Sequence, residues 1–136
     1  MKKQYTHYNR KILAGCGLLV LLAVTAVIGL VSLFVSLDRQ AARYPDAEPI
    51  SNHENYSGLP YNYKWDNTYY TTDPFPAVYN WYSTGFNLGP EMRANGRCIL
   101  MAGSEKRLAA TRYMSVLLCD MPEGRMIYVS RSTSFR

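Results

Sequence analysis

The feature that most constrains this chain is a run of 26 residues, 12–37, without a charged side chain. The run consists mainly of Leu, Val, Ile and Ala. Since a helix rises 1.5 Å per residue, it would span about 39 Å, more than the roughly 30 Å hydrocarbon core of a bilayer. No other segment of the sequence offers a matching apolar surface to cover it. We therefore predict one transmembrane helix over residues 12–37.

Positive charge is concentrated just before this run. The first eleven residues contain no acid, whereas residues 38–136 contain 11 basic and 10 acidic side chains. Basic residues flanking a spanning helix stay on the cytoplasmic side and attract anionic lipid headgroups. We therefore expect a cytoplasmic tail (1–11) and an extracytoplasmic C-terminal domain in a single-pass protein, with a bacterial cytoplasmic membrane as the expected setting. The tail residues expected to contact anionic headgroups are Lys2, Lys3, Arg10 and Lys11.

Two other roles for the N-terminal segment fit the residues less well. A signal peptide has an apolar region of about 7–15 residues followed by a small-residue cleavage site. Here the run is longer and ends in Val-Ser-Leu-Asp at 35–38. The sequence Leu-Ala-Gly-Cys at 13–16 resembles a lipoprotein processing box, but in such a box the apolar region precedes the cysteine. We therefore expect an uncleaved signal-anchor in which Cys16 is unmodified.

Small and hydroxylated residues recur along one face of the predicted helix. Thr25, Gly29, Ser32 and Ser36 are separated by four, three and four positions. Small residues let two helices approach closely in a bilayer, where packing drives association. The pattern favours a contact with a helix of another membrane protein. The alternative is that these residues reflect the ordinary composition of a spanning helix.

The remainder of the chain divides into a linker and one small domain. Residues 38–60 show little hydrophobic periodicity and contain three prolines, which predicts an irregular linker that packs in part on the domain. Nucleic-acid binding is not expected, because the external part has no basic stripe. We predict that residues 61–136 form an extracytoplasmic α+β domain.

The element order predicted for this domain is β-α-β-β-β. Aromatic and β-branched residues predict a strand or two in 61–72. Asp73 and Pro74 predict a helix start with Asp73 as N-cap, and apolar residues at helical spacing continue it to 85–89. Runs at 97–101, 113–119 and 125–132 predict three strands. This order favours an antiparallel sheet with the helix packed on one face.

The predicted strand order places two cysteines close together. If 98–102 pairs antiparallel with 112–119, Cys98 and Cys119 lie nearly opposite each other, with Cβ atoms about 4.5–5.5 Å apart. Disulfides persist outside the cytoplasm, and a domain this small benefits from a covalent staple. We predict a Cys98–Cys119 disulfide. The alternative is two buried free thiols.

No residue pattern in the sequence predicts enzymatic chemistry. Both histidines, His7 and His53, lie outside the predicted domain, so a His-based catalytic constellation is not expected. Cys98 and Cys119 with one distant histidine do not supply the four ligands of a zinc site. The sequence also lacks a Gly-rich phosphate loop and a nucleophile elbow. We expect a non-enzymatic protein without a cofactor or metal.

Eleven aromatic residues lie between positions 56 and 86. Tyr and Trp are enriched in interfaces, but they could equally build the core of a small domain. Trp81 lies off the apolar stripe of the predicted helix, so we predict it as an interface residue. The expected function is an accessory or structural subunit of a larger membrane protein assembly. The alternative is a membrane-anchored ligand-binding or sensor domain, which would have to signal through a partner.

Overall fold

The computed structural model describes residues 2–89 and 93–135, with side chains described for 15–89 and 96–135. The chain forms two compact units, Met1–Ala42 and Arg43–Arg136. The elements are helix α1 (Lys2–Ala41), strands β1 (Glu48–Asn55) and β2 (Asn62–Thr71), helix α2 (Phe75–Gly85), and strands β3 (Arg93–Asn95), β4 (Cys98–Arg107), β5 (Ala110–Met121) and β6 (Gly124–Phe135).

Helix α1 contains the whole predicted span. Gly15–Ala41 is a candidate membrane-spanning helix by length and composition, with a mean hydropathy of 2.9 and no buried residue in its apolar window. Leu19, Leu30 and Phe34 are each more than half exposed, and such apolar surface costs about 25 cal/mol per Å² in water. The helix extends past 12–37 at both ends. The side chains of the expected headgroup contacts Lys2, Lys3, Arg10 and Lys11 lie outside the described residues, so those contacts stay a prediction.

The second unit is one antiparallel sheet with a helix. Its six strands lie in the order β1-β2-β6-β5-β4-β3. The hairpin β1–β2 joins the meander β3–β6 where β2 pairs with β6. The chain must then pass from β2 to the far edge of the sheet, and α2 occupies that connection. The predicted antiparallel sheet with one helix is confirmed, but the predicted order β-α-β-β-β is corrected to β-β-α-β-β-β-β.

The core lies on the face of the sheet that α2 covers. Strand side chains alternate between faces, and in β2 the alternation is regular from Trp65 to Thr71. Fully burying a large apolar side chain is worth about 1.5–3 kcal/mol relative to exposure. The largest fully buried side chains are Trp65, Tyr82, Met101, Leu118, Ile127, Val78, Val116 and Val129. Since α2 contributes Val78 and Tyr82 to this set, its predicted apolar stripe is present.

The stretch predicted to be an irregular linker, 38–60, contains strand β1. This strand pairs antiparallel with β2, from Glu48 opposite Tyr70 to Asn55 opposite Lys64. All but one of its residues are exposed, so the sequence has no apolar alternation to mark it. Pairing with β2, rather than local propensity, makes this segment a strand.

Helix α2 begins one residue later than predicted. Its N-cap is Pro74, which makes no side-chain capping hydrogen bond, and the helix starts at Phe75. Asp73, the predicted N-cap, instead accepts a hydrogen bond from the Tyr44 hydroxyl, with 2.8 Å between the two oxygens. The Asp73 carboxylate is therefore used in a tertiary hydrogen bond instead of capping α2.

The predicted Cys98–Cys119 disulfide is confirmed. The two cysteines are directly opposite in the β4–β5 pairing. The Asp120 N–H donates to the Arg97 carbonyl over 2.8 Å, so 97 and 120 form a hydrogen-bonded pair. The cysteines therefore occupy the adjacent non-hydrogen-bonded pair, where Cα atoms approach most closely. Their Cα atoms are 4.0 Å apart.

Replacing both Cys98 and Cys119 with Ala should lower the free energy of unfolding by about 2–4 kcal/mol, because the unfolded chain regains the freedom of the closed loop. The measurement is denaturant unfolding of the full chain in mild detergent, followed by Trp fluorescence, since both tryptophans lie in the second unit. Cys16→Ala is the matched control and should leave stability unchanged. Labelling of both thiols in the unfolded, unreduced protein would contradict the prediction.

Candidate functional site

The sheet has a second face, opposite α2, which we call the open face. Odd-numbered residues of β2 point toward α2, so Thr68 and Tyr70 point to the open face. The strand register carries this assignment across β6, β5 and β4. The central part of the open face consists of Thr68, Tyr70, Leu100, Ser115, Leu117, Met126, Tyr128 and Ser130. None of these residues is buried, and Tyr128 is 42% exposed.

The charged residues of β5 and β6 all lie on the covered face. By register they are in line with the buried Val116, Leu118, Ile127 and Val129. They are Arg112, Asp120, Arg125 and Arg131. An antiparallel sheet with one solvated face normally carries its charges on that face. In the described residues of β5 and β6 this placement is reversed.

Each of two covered-face arginines is held by a specific neighbour. The Arg125 Nε lies 3.0 Å from the Asp120 Oδ1 at the end of the β5–β6 hairpin. The Arg131 guanidinium lies 5.6 Å from the ring centre of Phe86, at the end of α2, within the range of a cation–π contact. The charges at the margins of the covered face therefore have partners in the domain itself.

A tyrosine of the open face fixes the tight turn between β5 and β6. The Tyr70 hydroxyl donates to the Glu123 carbonyl over 2.5 Å. A Cβ added at Gly124 would lie 2.5 Å from the Tyr70 Cζ. Any larger residue at 124 would have to displace the Tyr70 ring, which lies over the Gly124 backbone. Tyr70 therefore links β2 to the β5–β6 turn at this end of the open face.

The predicted helix-contact residues form an exposed strip on α1. The Thr25 hydroxyl donates to the Leu21 and Leu22 carbonyls, each over 3.0 Å, and the Ser36 hydroxyl donates to the Leu33 carbonyl over 2.8 Å. These bonds remove the cost of placing hydroxyls in a bilayer. A Cβ at Gly29 would meet nothing within 4 Å. The predicted contact through Thr25, Gly29, Ser32 and Ser36 stays a prediction.

The predicted interface residue Trp81 lies within an aromatic cluster. Its ring makes edge-to-face contacts with Tyr44, Tyr82 and Phe86 at centroid distances of 5.5, 4.6 and 5.4 Å. The tryptophan is thus only partly exposed, and one of its neighbours, Tyr44, comes from the segment that enters the domain. The sequence could not place Tyr44 there, because the contact joins residues 37 positions apart. An interface role for Trp81 stays a prediction.

Burial controls the ionisation of the tyrosines in this cluster. Burial raises the pKa of Tyr82 well above its usual value, and the neighbouring Tyr69 adds to the rise, while a backbone hydrogen bond from Tyr44 opposes it. Burial likewise raises the pKa of Tyr44, and its hydrogen bond to Asp73 adds to that rise. Both phenols therefore stay protonated to a higher pH than an exposed tyrosine does.

Within residues 2–89 and 93–135, no group of three or more His, Cys, Asp or Glu side chains could hold a metal ion. A shallow depression is lined by residues 106–111 at the β4–β5 turn. The side chains at the centre of the open face are Tyr, Met, Leu, Ser and Thr.

The open face was missed by sequence reasoning, although a signal for it existed. In 125–132 the buried Ile127 and Val129 share odd parity with Arg125 and Arg131. That parity already predicts charge on the buried side. The uncharged surface on the opposite side of β5 and β6 can be recognised only when the pairing of β6 with β2 and β5 is known.

Comparison with protein-family models, with curated proteins and with solved structures finds no match. Function in this protein must therefore be argued from the surfaces themselves.

Domain stability should fall as pH rises above about 10, where unfolded tyrosines ionise. Because the pKa of Tyr82 is raised in the folded state, the folded protein holds this proton more tightly. Its contribution is fully present below pH 10 and is lost as the pH rises through the folded pKa. Tyr82→Phe should flatten this dependence and cost about 1 kcal/mol at neutral pH through its lost hydrogen bond.

Denaturant unfolding at neutral and alkaline pH would measure both effects. Tyr61→Phe is the matched control, since Tyr61 is 74% exposed and its phenol meets water in both states. An identical pH dependence in the wild type and in Tyr82→Phe would refute the assignment.

Proposed function

We propose that this protein is a non-enzymatic, single-pass accessory or structural subunit of a membrane protein assembly. Its N-terminus lies in the cytoplasm, and its second unit lies outside. In this proposal the open face binds another protein of the assembly. One observation carries the proposal: β5 and β6 place their charged residues on the covered face and leave their own part of the open face uncharged.

The composition of the open face suits an interface core. Such cores are depleted of charge and enriched in Tyr and Met, with polar groups that can form hydrogen bonds across the contact. The central cross-strand row runs through Thr68, Tyr128, Leu117 and Leu100. Covering it removes apolar surface from water at about 25 cal/mol per Å², and the row itself contains no charged side chain.

Membrane anchoring supports the proposal. A domain tied to a bilayer meets partners in that bilayer at a high effective concentration. A modest face is then sufficient for a stable complex. The candidate span Gly15–Ala41 supplies the tether, and the exposed strip around Gly29 offers a second contact with the same assembly.

Tyr128→Lys should abolish co-purification of the partner after mild detergent extraction, because it buries an unpaired ammonium in the contact. Ile50→Lys is the matched control. Ile50 is an exposed apolar residue of the edge strand β1, so its replacement should leave the complex intact. A wild-type protein that elutes as a monodisperse free monomer would overturn the proposal, and so would a Tyr128→Lys variant that keeps its partner.

A second variant pair tests the helix contact. Gly29→Leu inserts a side chain where two backbones would approach closely, so assembly should weaken. Val27→Leu, about 200° around the same helix, changes volume on the opposite side and should have little effect. Assembly measured by co-purification would separate them. If both variants co-purify with the partner equally well, the small residues reflect only the ordinary composition of a spanning helix.

A further inference from the structure

One end of the sheet gathers three exposed segments, which we call the distal end: residues 56–61, residues 105–113 and Phe135. The Phe135 N–H donates to the Tyr61 carbonyl over 2.7 Å. Phe135 also lies opposite Ala110 in the β5–β6 pairing. The β4–β5 turn consists of Leu108 and Ala109. The three segments therefore form one contiguous surface.

Exposed apolar side chains of the domain are concentrated at this end. Leu108, at the turn, is fully exposed, and Tyr61 is largely exposed. Of the large exposed apolar residues described in the domain, only Ile50, Met121 and Tyr128 lie elsewhere. The distal end holds Tyr56, Leu59, Tyr61, Leu108, Tyr113 and Phe135.

The distal end also carries an excess of positive charge. Residues 105–108 contain two basic side chains, Lys106 and Arg107, and one acidic one, and residues 56–61 contain no charge. Glu105 pairs with Arg107, with 2.9 Å between Oε1 and Nε, and both side chains are more than half exposed. Lys106 is exposed beside Leu108. An aliphatic tip flanked by basic residues and bordered by tyrosines has the composition of a membrane-interface contact.

The distal end lies far from the point where the chain enters the domain. The entry residue Tyr44 bonds to Asp73, two residues past the end of β2. The distal end adjoins the other end of β2, at Asn62. Nine residue steps at about 3.3 Å each place the two ends about 30 Å apart.

We propose that the distal end docks onto the anionic headgroups of a second bilayer, apposed to the membrane that holds α1. The inference rests on the membrane anchoring in the proposed function, but not on any protein partner. Charge complementarity selects an anionic surface. The distal end contacts its target through three separate segments: the β4–β5 turn, residues 56–61 and Phe135. A fluid, planar lipid surface can contact all three at once. Each contact is weak, and many copies anchored in one membrane act together.

The test uses the full chain reconstituted in phosphatidylcholine vesicles and fluorescent protein-free acceptor vesicles. Acceptors containing phosphatidylglycerol should co-float with the protein, whereas pure phosphatidylcholine acceptors should not. Capture should weaken as salt is raised, because exposed charges are screened. Lys106→Gln should reduce binding per copy by about fivefold, the value of one basic residue at an anionic surface. Leu108→Asp should abolish capture.

Met121→Asp is the matched control, because Met121 is an exposed aliphatic residue at the β5–β6 turn, the opposite end of β5. It should capture anionic vesicles as the wild type does. Every variant keeps the basic N-terminal tail, so a loss in Leu108→Asp belongs to the distal end. Equal capture of neutral and anionic vesicles, or wild-type capture by Leu108→Asp, overturns the proposal. Tyr128→Lys should capture normally, so failure here is distinguishable from failure of the proposed function.

Discussion

The pairing of β2 with β6 is the constraint on which the domain depends. It joins a hairpin to a four-stranded meander through ten residue pairs, from Asn62 opposite Ser134 to Thr71 opposite Arg125. A slip of one residue would turn every side chain of β2 to the other face. Trp65 and Tyr69 would then leave the core. Because α2 covers only one face, burial of these two rings permits a single register.

The same register decides where the charges lie. Once Ile127 and Val129 face α2, Arg125 and Arg131 must face the same way. At the margins of the covered face, Arg125 then forms an ion pair with Asp120 and Arg131 lies over the ring of Phe86. On β5 and β6 the open face keeps only neutral side chains, whereas β2 places the ion pair of Lys64 and Asp66 on it. The proposed binding surface is thus a consequence of the alternation that builds the core.

The edge of the sheet next to β2 is unsuited to binding by strand addition. β1 contains Pro49, which has no N–H, and its pairing with β2 shifts register between Pro49 and Ser51. Glu48 and Glu54 add charge near both ends of the strand. These features protect an exposed edge against pairing with other chains. The proposed contacts accordingly use the open face and the distal end rather than this edge.

The sequence by itself determined the apolar helix, the helix α2, the β4–β5 hairpin and the Cys98–Cys119 bond. Each depends on neighbouring residues or on one short hairpin, so contiguous hydropathy, helical spacing and strand length suffice. Tertiary structure alone decided that the polar segment Glu48–Asn55 is a strand, that Asp73 bonds to Tyr44 instead of capping α2, and that Trp81 packs in a cluster. It also decided which face receives the charged residues of β5 and β6. The physical reason is that these features follow from contacts between distant segments, above all β2 with β6, whose energies no local window of sequence contains.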